Sequence, residues 1–61
     1  MKNFKYGDRI MIKNLSPSYN GRFGYIVTFK ADRMPKYLHR VELDGVVEIQ
    51  TFHEDFLERI D

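Results

Sequence analysis

The chain has 61 residues, 43% hydrophobic and 31% charged, with five Phe, four Tyr, no Trp and no Cys. That length makes one domain, residues 1–61, near the lower limit at which a chain buries enough apolar surface to fold alone. The absence of cysteine excludes a disulfide framework and thiolate metal ligation, so stability has to come from packing, and a reducing intracellular setting is the default expectation.

No apolar run approaches the ~20 residues of a membrane span. The opening Met-Lys-Asn-Phe-Lys lacks the apolar segment of a signal peptide, which leads to the expectation of a cytoplasmic protein without a membrane partner. The net charge of +1 conceals a polarity along the chain. Residues 1–40 hold nine of the ten Lys and Arg against Asp8 and Asp32, a balance of +7, and residues 41–61 hold Arg59 against seven acids, a balance of −6. Two arrangements give such a pattern: a basic face with an acidic counter-face, or acidic and basic residues paired across a ladder that sets the last strand beside the first.

In chain order, Ile10 and Ile12 alternate with Arg9, Met11 and Lys13, which predicts a half-buried first strand over Arg9–Lys13. Leu15 is expected to tuck inward, and Ser16–Gly21 to form a turn-rich loop in which Asn20-Gly21 suits positive φ. A second strand is expected over Arg22–Phe29, with Gly24 marking a bulge or a close backbone approach. Lys30–Lys36, which contains Pro35, reads as a basic connection. The third strand, Tyr37–Leu43, places Tyr37, His39, Val41 and Leu43 on one face, the candidate core face. Asp44-Gly45 is a hairpin signal leading into a fourth strand over Val46–Phe52. His53–Phe56 suits one turn of 3₁₀ helix, and Leu57–Ile60 a closing strand. The expected core includes Ile12, Ile26, Val41 and Leu43. Five short strands at these intervals predict an all-β fold, a small five-stranded barrel.

Gly7, Asp8, Ile10 and Ile12, followed by Gly21, Gly24 and Ile26, resemble the KOW-type variant of the SH3-like barrel. In that variant a Gly-Asp-x-Val-x-Val strand and a turn precede Gly-x-Ile/Val-Val. Val41-Glu42-Leu43-Asp44-Gly45 and Phe52-x-x-x-Phe56-Leu57 are similar to the distal hairpin, 3₁₀ turn and last strand of SH3-like domains. The resemblance implies an SH3-like barrel with a 3₁₀ turn before its last strand, and a surface whose loops bind RNA. The tryptophan and paired first-loop aromatics of proline-peptide grooves are absent.

The first candidate site is a basic-aromatic surface: Tyr19, Arg22, Phe23 and Tyr25 around the first loop, and Lys30, Arg33, Lys36 and Tyr37 around the long connection. Cations neutralise phosphates and π-faces stack bases, so this composition suits RNA or a ribonucleoprotein. The competing structural role is that Phe23 and Tyr25 pack in the core while the lysines keep a loop solvated. A protein partner is the alternative class. Met11, Met34 and Tyr37 are adaptable apolar anchors for an adaptor or a small stoichiometric inhibitor of the kind found in phage and mobile elements, and the acidic half can imitate nucleic acid.

Catalysis is not expected. His39 is read as a partly buried, hydrogen-bonded strand residue, and His53-Glu54-Asp55 as a turn, since three consecutive residues do not share a face as metal ligands do. No phosphate loop, nucleophile elbow or carboxylate pair is present, and no cofactor is expected.

Overall fold

Residues 3–60 are described by the structure, a computed structural model. Five antiparallel strands form one sheet: β1 (Arg9–Ile12), β2 (Phe23–Ile26), β3 (Leu38–Leu43), β4 (Ile49–His53) and β5 (Leu57–Arg59). Their order is β4-β3-β2-β1-β5, with β4 and β5 as the two edges. The hydrogen-bonded order does not close into a ring. A 3₁₀ turn, Glu54–Phe56, precedes β5 as expected, and the His53 side chain caps it by accepting from the Asp55 N–H at 3.1 Å. No helix among the described residues is long and apolar enough to cross a membrane.

The period-2 patterning places the core. Ile12, Ile26 and Val41 are fully buried and Leu43 nearly so, joined by Ile10, Leu57 and Phe52. Alternate residues point outward, and the register sets Arg9 opposite Tyr25, Tyr25 opposite Glu42, and Glu42 opposite Ile49. Gly24 allows β2 and β3 to approach: a Cβ there would lie 2.6 Å from the Glu42 carbonyl oxygen.

The strands are shorter than the sequence pattern, for identifiable reasons. β2 stops at Ile26 because the Thr28 side chain takes over from the ladder, its Oγ1 accepting from the Arg40 N–H at 2.6 Å. The chain beyond is then free to diverge into the long connection. β4 begins at Ile49 rather than Val46. The Asp44-Gly45 turn does form, with Gly45 at φ +77° and the Val46 N–H donating to the Leu43 carbonyl at 3.1 Å. Asp44, however, donates its N–H to the Phe23 carbonyl at 2.9 Å and joins β2, and the ladder resumes only at Glu42 opposite Ile49. A two-residue Asp44-Gly45 loop would set Glu42 opposite Val47, so the register is offset by two residues and the faces keep their parity.

Three side chains depart from expectation. Tyr37 precedes β3 and is half exposed, stacked at a tilt on His53 with ring centroids 5.3 Å apart, because its carbonyl is engaged by the Glu54 N–H of the 3₁₀ turn at 2.7 Å. Leu15 stays exposed, since the Asn20 side chain holds its N–H at 2.8 Å and Asn14 turns the chain through φ +56°. His39 is buried as expected, but among the described residues its Nε2 has no hydrogen-bond partner. The ring instead packs edge-on against Phe4, centroids 5.0 Å apart, and burial lowers its pKa below the ordinary 6.5, with the Glu54 charge opposing and His53 adding to the fall.

Candidate functional site

Two groups of basic residues stand apart that sequence position does not separate, and Arg22 and Arg33 belong to neither. On the outward face of the sheet, the Arg9 guanidinium forks onto the Asp44 carboxylate at 2.8 and 2.5 Å. It also lies 4.5 Å from the Tyr25 ring centroid and 5.6 Å from that of Phe23. The hydrogen bond raises the Arg9 pKa and lowers that of Asp44, so both stay charged and matched. Lys13 lies 3.9 Å from Glu58 on the same face. Here the acidic half of the chain neutralises the basic half across the sheet.

The second group surrounds a cleft of about 1030 Å³ between the N-terminal segment, the β2–β3 connection and the start of β3. Two turns of the same construction build its walls. In Lys5–Asp8, the Lys5 N–H donates to Asp8 Oδ2 at 2.8 Å while the Asp8 N–H donates to the Lys5 carbonyl at 3.0 Å. In Phe29–Asp32, the Phe29 N–H donates to Asp32 Oδ2 at 2.9 Å while the Asp32 N–H donates to the Phe29 carbonyl at 3.0 Å. An aspartate closing a four-residue turn through both its side chain and its backbone fixes that turn without burying it. Each carboxylate is held in turn by an arginine, Asp8 by Arg59 and Asp32 by Arg40 at 3.8 Å.

These two turns bring Tyr6 and Phe29 into a stacked pair, ring centroids 4.7 Å apart and planes 24° apart. Both rings are more than half exposed, at 58% and 57%. Each ring covers one face of the other. Lys5, Lys30 and Lys36 line the same cleft, exposed, and make no ion pair among the described residues. Met34, Pro35 and Leu38 supply apolar lining, and His39 lies at the cleft's inner end.

The eight residues singled out from sequence are therefore divided. Lys30 and Lys36 stand in the cleft. Phe23 and Tyr25 are exposed on the outer face of β2, outside the core, with Arg9 between them. Tyr19 is half-buried, edge-on to Phe52 at 5.8 Å, with the Arg22 guanidinium 5.5 Å from its centroid. Arg33 and Tyr37 are exposed outside the cleft lining. Lys5, Tyr6 and Phe29 complete the cleft and were not singled out. Their signal was an aspartate three residues after the first residue of each turn.

No protein-family model, no curated protein and no solved structure matches this chain.

Proposed function

We propose that this chain is a non-catalytic binding module that takes single-stranded nucleic acid, RNA in the first instance, along the cleft. The observation that carries this reading is the concentration of lysines without an ion pair among the described residues, Lys5, Lys30 and Lys36, around the exposed Tyr6–Phe29 stack. Single strands are bound without base pairing by cations that track phosphates and by aromatic faces on which bases stack. A stacked aromatic pair offers a base the chance to extend the stack, and the lysines stand within the same walls. The resemblance to SH3-like, KOW-type barrels belongs to the same proposal, because such small barrels bind RNA through their loops.

The test is a salt titration with a labelled single-stranded RNA. Replacing Lys5, Lys30 and Lys36 together by Gln is expected to lower the log–log salt slope by up to ~2 units and to weaken binding roughly a hundredfold at low salt. Replacing Arg9 and Lys13 by Gln, whose charges are matched by Asp44 and Glu58, is expected to leave the slope close to that of the unsubstituted chain. No binding of RNA or DNA at low ionic strength would overturn the proposal. In that outcome the exposed Phe23, Tyr25, Val47 and Ile49 favour a protein partner on the outer side of the sheet.

A further inference from the structure

Among the described residues that line the cleft, Asp32 is the one carboxylate. For a phosphate backbone it is a misplaced charge, since it repels what the three lysines attract. It is nevertheless held firmly: the Phe29 N–H donates to its Oδ2 at 2.9 Å, its own N–H donates to the Phe29 carbonyl at 3.0 Å, and Arg40 stands 3.8 Å away. The four-residue turn that holds this carboxylate also carries the Phe29 ring. Its side chain is about one-quarter exposed, and among the described residues Oδ1 accepts no hydrogen bond. Two acceptor oxygens carry about four lone-pair sites, so capacity remains after the turn is closed.

Building on the nucleic-acid reading above, we infer that the cleft selects an unpaired guanine, stacked on the Tyr6–Phe29 pair with its Watson–Crick edge donating to the Asp32 carboxylate. The chemistry of the four bases singles it out. Guanine presents two adjacent donors, N1–H and the N2 amino group, which match two carboxylate oxygens as a charge-assisted bidentate pair. Adenine and cytosine each set one amino donor beside a ring-nitrogen acceptor, which faces the carboxylate with like sign. Uracil flanks its single N–H with two carbonyl oxygens. Both the stacking face and the Watson–Crick edge are open only in a single strand, a loop or an end, so duplex RNA is excluded as the ligand.

The test uses labelled octauridylate and the same oligonucleotide with one central guanine, inosine, adenine or cytosine. Guanine is expected to tighten binding about tenfold over uridine, and inosine, which lacks the N2 amino group, to fall between them. Adenine and cytosine should bind no more tightly than uridine. In Asp32→Asn the amide oxygen still accepts from the Phe29 N–H and keeps the turn. The guanine advantage should vanish there while octauridylate binding is retained. Equal affinity for all five oligonucleotides in the unsubstituted chain overturns the guanine reading and leaves the nucleic-acid reading standing, whether or not the variant folds. Guanine preference that survives in Asp32→Asn overturns the role of Asp32. Absence of binding by any of the oligonucleotides at low salt overturns both readings.

Discussion

The outward face of the sheet and the cleft contain the same kinds of residue, cations beside aromatic rings, and differ in what the cations face. On the sheet, Arg9 sits between Phe23 and Tyr25 but is forked onto Asp44, and Lys13 faces Glu58. In the cleft, Lys5, Lys30 and Lys36 stand near the Tyr6–Phe29 stack without a carboxylate partner among the described residues. A cation already paired must give up that partner before it can meet a phosphate, whereas a free one releases only its counterions. Composition alone does not distinguish the two regions, and pairing does.

The contrast can be broken from beneath, because both regions hang on one sheet. Leu43 is 1% exposed and packs under β3, the strand shared by the hairpin turn that places Asp44 and by the cleft's inner end. Leu43→Ala is expected to cost ~2–5 kcal/mol, comparable to the whole stability of so small a domain, and to abolish both regions together. A cooperative melt at the unsubstituted temperature would show that this strand does not support them.

A smaller effect sharpens the contrast. Tyr6→Ala should weaken single-stranded RNA binding by ~1–3 kcal/mol without altering the salt slope, since it removes a stacking face and no charge. Tyr25→Ala, on the outward face of β2 and outside the cleft lining, should leave affinity essentially unchanged. Equal losses at the two positions would erase the distinction drawn between the faces.

The smallest expected effect is in pH, and it acts on the cleft side alone. Burial holds the His39 pKa below its unfolded value near 6.5, so above about pH 6.5 the histidine is neutral in both states and its contribution is fully present. As pH falls through 6.5 toward the folded value, the unfolded chain binds the proton more readily and stability declines, by at most ~1.4 kcal/mol per pH unit for one proton. The Arg9–Asp44 pair behaves differently. The Asp44 pKa lies below its unfolded value near 3.8, so its contribution is fully present well above that pH and is lost as pH falls through 3.8 toward the folded value. Urea unfolding at pH 7.5 and pH 5 should therefore show a loss that His39→Gln diminishes and Asp44→Asn does not.

What could be read before folding follows the reach of each signal. Alternation at Ile10 and Ile12, and at Val41 and Leu43, marked the core face correctly, because successive side chains of a strand must point to opposite sides. Gly45 marked its turn because positive φ is a property of one residue. The cleft was less legible. Residues Asn3–Asp8 have no periodicity, so Lys5 and Tyr6 went unremarked, and Phe29 was assigned to a strand that the Thr28 hydroxyl in fact ends. The two Asp-closed turns were visible only as spacing, and spacing of that kind is common.

The amino-acid sequence by itself determined the alternating core residues of the strands and the Asp44-Gly45 turn, though not the exposure of Leu15 and Tyr37, since the first two follow from local backbone geometry and the period of the side chains. Only the tertiary structure decided which cations are neutralised. Arg9 meets Asp44 and Arg59 meets Asp8 across separations of 35 and 51 residues. Those meetings depend on strand register and on a two-residue offset in one hairpin, and each removes a charge that sequence position alone leaves free. The lysines that no strand brings opposite a carboxylate remain in the cleft.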